Sequence, residues 1–339
     1  MKQRLLSVAV ASLLAGFSTQ ALADGPTFYG DLNVSITDSD TGILVQGTGN
    51  KSGTVLENNS SNIGIKGTHD INTNLYVVYK AEVGVNGGDQ SNGKEPFSSR
   101  NTYVGLGGNF GEVVFGRNDT AFKASEGGVD AFGNLNADIF AILPGQDRVG
   151  DSITYTLPKL GLFTGKATYL LEDDFYAEGA DVDGNNFAVM GGFGDKGLKK
   201  APYYIGFGYV DGISDLTSYR ITGQLKLADL QLGLIYQDSE LTSNSSVDGT
   251  GYIVSAKYPL GNFMLKGQFG YDDGGMGSFA KGLDTDGTVK EVTNYTVGLD
   301  YTLTKSAYVY GHVAYYDAAI DNAEDIDDTL VTVGMRYRF

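Results

Sequence analysis

The strongest constraint on this chain is a period of two. Phe28, Gly30, Leu32, Val34 and Ile36 alternate with Tyr29, Asp31, Asn33 and Ser35. Leu230, Leu232, Leu234 and Tyr236 alternate with Gln231, Gly233, Ile235 and Gln237. Near the end, Val331, Val333, Met335, Tyr337 and Phe339 alternate with Thr332, Gly334, Arg336 and Arg338. Period two gives a strand one apolar and one polar face. After residue 23 no stretch supplies the roughly 18 apolar residues of a spanning helix.

These segments run about ten residues, and Tyr or Phe often caps the apolar stripe. In a soluble sandwich the apolar face would be the core. Strands this long, with aromatic caps, fit a transmembrane antiparallel β-barrel, apolar outside and polar inside. The fold class is therefore all-β. Alternating segments lie near 27–36, 58–67, 73–85, 99–108, 111–117, 151–157, 162–172, 186–193, 202–210, 217–227, 230–238, 250–258, 262–271, 292–302, 306–317 and 329–339. That is about sixteen, an even number as a bacterial single-chain barrel requires. Short connections (Asn72, Asn109, Ala228-Asp229) alternate with long ones (37–57, 86–98, 118–150, 173–185, 239–249, 272–291, 318–328). Short periplasmic turns and long outer loops produce that alternation.

Lys2 and Arg4, the apolar run from Leu5 to about Phe17, and Ala21-Leu22-Ala23 read as a cleaved secretory signal peptide over 1–23. A single barrel then occupies 24–339. Removing Lys2 and Arg4 takes the net charge from −17 to −19. Such an acidic chain is a poor partner for nucleic acid. With no Cys and two His, thiolate chemistry, disulfides and His-rich metal sites are excluded. No catalytic residue, metal site or cofactor is expected. His69 and His312 lack the G-x-S-x-G context a hydrolase of that kind would show. The acids Glu172-Asp173-Asp174, Asp181, Asp183, Glu324-Asp325 and Asp327-Asp328 read as solvated loops, with cation-bridged lipopolysaccharide as the functional alternative.

Four places carry a family resemblance. Phe28-Tyr29-Gly30 opens the first strand. Asn62-Ile63-Gly64-Ile65-Lys66-Gly67 is similar to an R-x-G-F-K-G segment. Arg100 to Leu106, Phe110-Gly111 and Gly116-Arg117-Asn118-Asp119-Thr120 resemble an R-x-x-x-x-G-L … G-R-x-x-T stretch. Phe339 is a terminal aromatic. The chain thus resembles the Gram-negative trimeric general porins over essentially its whole mature length. The resemblance implies an outer-membrane homotrimer among lipids and lipopolysaccharide, passing ions and small hydrophilic solutes. It also implies a long loop 3, here near 118–150, folded into the lumen with carboxylates facing basic wall residues. Such a charged ring selects by size and sign.

For loop 3 the acids furthest from the strand ends are Glu126, Asp130 and Asp138, with Asp119 nearer the root. Parity places Lys66 on the polar face with Asn62 and Gly64, and Lys80 and Glu82 opposite Tyr79, Ala81 and Val83. Glu82 and Arg100 match family wall residues. Arg148 shares the parity of Ser152 and Thr154 and matches a family constriction arginine. Arg100 leaves parity open, because turning it inward turns Val104 inward too. Arg117 has the parity of Val113 and Phe115 and is luminal only if its strand ends or bulges there. Two departures thin the basic ladder: Asp31 and Asn62 stand where the family often has basic residues. Asp31 and the acidic loops tilt towards cations, while the retained lysines and arginines argue for anion attraction. A structural or adhesive barrel working through its loops is the alternative function.

Overall fold

The computed structural model describes residues 25–45, 50–86, 95–171, 185–283 and 288–339. The signal segment 1–23 and the acids at 172–174, 181 and 183 lie outside these residues. Seventeen strands are described: β1 (Thr27–Ser39), β2 (Gly53–Asn58), β3 (Asn62–Asn72), β4 (Leu75–Val85), β5 (Phe97–Gly108), β6 (Gly111–Asp119), β7 (Arg148–Thr156), β8 (Phe163–Leu170), β9 (Phe187–Gly194), β10 (Tyr203–Asp211), β11 (Leu216–Leu227), β12 (Leu230–Leu241), β13 (Asn244–Leu260), β14 (Phe263–Asp272), β15 (Thr288–Thr302), β16 (Ala307–Asp321) and β17 (Ile326–Arg338). Each pairs antiparallel with its neighbours in one sheet. β2 and β3 both pair with β1, one after the other, so they form a single stave and the barrel has sixteen. At the break between them, Ser61 Oγ accepts the Asn33 amide at 2.9 Å in place of a ladder carbonyl.

Closure comes from β1 against β17, in register from Asp31↔Arg338 to Ser39↔Leu330. A closed sheet leaves no edge, which a lipid-embedded backbone cannot tolerate. The burial pattern is inverted relative to a water-soluble fold. On β1, Ile36 is 56% exposed while its neighbour Thr37 is 0% exposed. Apolar side chains face out and polar ones face in, the arrangement that lipid outside and water inside select. Tyr219, Tyr236, Tyr252 and Tyr271 form a run of neighbouring rings across β11–β14, with centroids 5.3 to 6.2 Å apart. Phe263 and Tyr301 pair near the opposite end of β14 and β15. These are outward aromatics at the two membrane interfaces.

Two expected long connections shrink. β12 and β13 continue past their apolar stripes, so 239–249 becomes a hairpin closed by 242–243, with Glu240 opposite Asp248. Likewise 318–328 contracts to 322–325. Polar residues can pair above the membrane as well as loop, and hydropathy periodicity does not register that pairing. Asp328 accordingly is a buried strand residue. Its carboxylate accepts from Ser39 Oγ, Thr41 Oγ1 and the amides of Asp40 and Thr41.

The long segment between β6 and β7 spans 120–147. It holds a short helix, Ala121–Ala124, whose N-cap Thr120 accepts from Lys123 N, and a 3-10 turn, Ile139–Ala141. Its apolar residues Val129, Phe132, Ile139, Ile142 and Leu143 are buried together with Ile235, Ile253, Ala314, Tyr316 and Leu330. Those five partners sit on the inward parity of β12, β13, β16 and β17. The apolar core of this molecule therefore lies inside the barrel, between segment 120–147 and one half of the wall.

Candidate functional site

Glu82 anchors the first charge cluster. Its Oε2 lies 3.0 Å from Lys80 Nζ and accepts Tyr29 Oη at 2.7 Å, while Oε1 accepts Arg100 Nε at 2.7 Å. Arg100 and Val104 need not share a face. The β4–β5 register runs Ala81↔Thr102 and then Val83↔Ser99, so Glu82 faces Arg100 and Asn101 together. That bulge lets Arg100 turn inward while Val104 remains exposed outside. Lys66 Nζ sits 5.0 Å from the Tyr29 ring centroid, a cation–π contact.

Beside this cluster, Asp31 is held by two arginines of the closing strand. Arg336 donates through Nε (2.8 Å to Oδ1) and Nη2 (2.6 Å to Oδ2), and Arg338 Nε reaches Oδ2 at 3.1 Å. Fork-like guanidinium–carboxylate contacts are the strong kind. The ladder thinned at Asp31 is thus refilled from β17.

A second cluster sits at the root of segment 120–147. The β6–β7 register shifts between Gly116 and Asn118. Gly116 has φ +123°, and a Cβ there would come within 2.5 Å of Thr102 O, so only glycine fits. Past this bulge Asp119 faces in. Arg148 Nη2 lies 3.0 Å from Asp119 Oδ1, and Arg148 Nε donates to Asn101 Oδ1 at 2.6 Å. Lys123 Nζ is 3.5 Å from the same carboxylate. Arg117 sits within that shift, opposite Thr102 of β5. Its Nη1 donates to Arg148 O at 3.0 Å.

Segment 120–147 is pinned to the wall largely through its backbone. Lys257 Nζ donates to Gly128 O (2.9 Å) and Asp130 O (2.7 Å). Arg220 and Gln237 both donate to Pro144 O, Lys196 to Ala124 O, and Lys166 to Asp119 O. Gln268 bridges Ala131 N and Ala137 O. At the tip, Asn136 Nδ2 contacts Glu57, and Tyr316 Oη donates to Asn136 O at 2.8 Å. Asp138 is occupied as the cap of the 3-10 turn, accepting Phe140 N and Asn134 N. Asp130 Oδ1 accepts Phe132 N. Burial raises the Glu126 carboxyl to about 7, with Arg220, Lys123 and Lys196 opposing the rise and Asp138 adding to it. Burial, then the neighbouring Asp138 and Glu126, hold Asp130 well above the ordinary aspartate value.

The first charge cluster and the Asp31 group border a cavity of about 320 Å³. Lys66, Arg100, Arg336 and Arg338 line it together with Asp31 and Glu82, and Asn134 of segment 120–147 joins them. No group of three or more His, Asp or Glu residues suited to a metal is found among the described residues. A charged cavity inside a closed barrel can sort solutes by size and charge.

The model of the Gram-negative porin family matches residues 7–338. The chain belongs to that family. It is an outer-membrane porin, a channel for passive diffusion. Outer membrane protein U of Vibrio cholerae (strain O395) is 28% identical over 273 residues, covering 74% of this chain and 77% of that one. An outer membrane porin protein of Bordetella pertussis (strain Tohama I) is 26% identical over 400 residues, with all of each chain covered. The trimer-form structure of OmpT from Vibrio cholerae superposes with a TM-score of 0.67 at 16% identity, covering 93% of this chain and 99% of that one.

Within this porin, the sequence-derived residues separate into three groups. Lys66, Lys80, Glu82, Arg100 and Asp31 come together on the wall. Asp119 and Arg148 pair at the root of the inner segment. Glu126, Asp130 and Asp138 influence one another along that segment. Arg336 and Arg338 were legible as inward residues of the last alternating stripe, yet nothing in one strand tells which neighbour they meet. Arg220, Lys196 and Lys257 carried no motif. Their role depends on where segment 120–147 lies.

Proposed function

We propose that segment 120–147 narrows the porin channel against the β1, β3, β4, β5 and β17 wall. Ions and small hydrophilic solutes then pass one bottleneck whose charge is set mainly by Lys66, Lys80, Glu82, Arg100, Asp31 and the acids Glu126, Asp130 and Asp138. The observation that carries this reading is the cavity bounded by wall cations and by Asn134. Passage needs positioning and fields but no bond-making, so the protein works without a catalytic centre or cofactor. Residues 1–23 act as the export signal ahead of a single barrel, 24–339. The working form is a homotrimer in lipid and lipopolysaccharide, as the OmpT structure is described in a trimer form.

Reconstitution into planar bilayers tests the reading. Stepwise conductance in groups of three is expected. Deletion of residues 126–142 should widen the channel and raise the size limit for sugars in liposome swelling. A channel whose conductance and size limit do not change on that deletion would remove segment 120–147 from the bottleneck.

A further inference from the structure

The wall cluster contains more positive charge than its acids can absorb. Glu82 takes Lys80, Arg100 and Tyr29, and Asp31 takes Arg336 and Arg338. Both carboxylates are thereby committed. With Lys66 the cations number five, three more than the two acids.

The surplus also has donors beside the cavity that no acid occupies. Lys66 meets the Tyr29 ring and no carboxylate. Arg100 and Arg338 engage their acids through Nε, leaving both Nη groups without a hydrogen bond among the described residues. Arg338 is the more open of the two arginines on Asp31, with its side chain 56% exposed. Lys66, Arg100 and Arg338 all line the same cavity, and so does Asn134. Its volume is about ten times the roughly 30 Å³ share of one water, room for a partly hydrated oxyanion.

We infer that Arg336 and Arg338 turn the Asp31 side of this cavity from acidic to basic, and that the cavity is a transit site for small dianionic oxyanions. The inference rests on the cavity being the bottleneck of the channel. Guanidinium forks match the oxygen spacing of sulfate, phosphate monoesters and carboxylates, and Lys66 adds a point charge. Walls of low dielectric focus the surplus field into the channel. Burial raises the Glu126 carboxyl to about 7, and burial with the neighbouring Asp138 and Glu126 pushes Asp130 upward, so the acids of segment 120–147 weaken the field less than their number suggests. The net charge of the chain is misleading here, because selectivity follows the charges at the narrowest point.

The experiment uses the intact porin in planar bilayers. Under a KCl gradient the reversal potential should have the sign of chloride preference. Sulfate added to a KCl background should reduce the chloride current saturably. Arg338→Gln and, separately, Lys66→Gln should each weaken the sulfate effect, and Asp31→Asn should strengthen chloride preference. The Arg336→Gln/Arg338→Gln pair should lose that preference. A conducting channel that favours potassium overturns the inference and leaves the porin bottleneck standing. Sulfate block of equal strength in the Arg338→Gln and Lys66→Gln channels and the parent also overturns it. Conductance insensitive to deletion of 126–142 overturns the bottleneck reading itself.

Discussion

Arg336 grips Asp31 across the seam where the barrel closes, with contacts of 2.6 and 2.8 Å to the two carboxylate oxygens. One residue comes from the first strand and the other from the last, so the contact exists only in the closed barrel. It joins a structural task, sealing β1 to β17, with an electrostatic one, cancelling an acid in the channel wall.

Glu82 does the opposite job for its neighbours, neutralising Lys80 and Arg100. Glu82→Gln removes that charge and leaves two basic side chains without their acid. The reversal potential of the variant should shift towards anions. Loss of one carboxylate from so connected a site should cost about 1–3 kcal/mol of stability. Heat-dependent gel mobility reads the second effect independently of the first.

Lys257 holds segment 120–147 by two backbone carbonyls. Lys257→Ala should free the stretch around Gly128. Hydrogen bonds to charged groups contribute about 1.5–3 kcal/mol each. Open-channel current noise should rise, and trypsin should cut after Lys123 faster than in the parent. Lys257→Arg, which keeps a charged donor, should restore part of the protection.

The Glu126 carboxyl titrates at about 7. It is neutral well below that pH and anionic above it. Raising pH from 5 to 9 should therefore add negative charge to the inner segment and move the reversal potential towards cations. The groups acting on it are Arg220, Asp138, Lys123 and Lys196. Glu126→Gln should flatten the dependence around pH 7.

Val297 faces lipid and is 66% exposed. Val297→Arg puts a charge on the lipid face of β15 at a cost of roughly 2–4 kcal/mol if near the bilayer midplane. Less folded barrel should appear in outer membranes. Asn62→Arg, on the inner face of β3, should assemble normally and shift selectivity towards anions.

Much of the barrel can be read from the chain itself, because each strand carries its own evidence. Alternation at Leu32, Val34 and Ile36 needs no partner to show which side meets lipid, and the even number of such stripes implies closure. The same parity puts Lys66, Lys80 and Glu82 inward. Parity fails to decide Arg100, and Asp119 too lies opposite the side its strand parity assigns it. At Arg100 a bulge adds one residue to β5 and flips the face, whereas beside Asp119 the extra residue belongs to β7; either irregularity is set by pairing with the next strand.

What the sequence alone determined is the membrane barrel, because lipid outside and water inside impose a two-residue period on every strand. What the tertiary structure decided is which charged side chains meet inside the barrel. Asp31 and Arg336 stand 305 positions apart, and Lys257 meets Asp130 only once segment 120–147 has folded inward. Electrostatics depends on distance in space, which barrel closure and the course of one inner segment establish and a single strand does not encode.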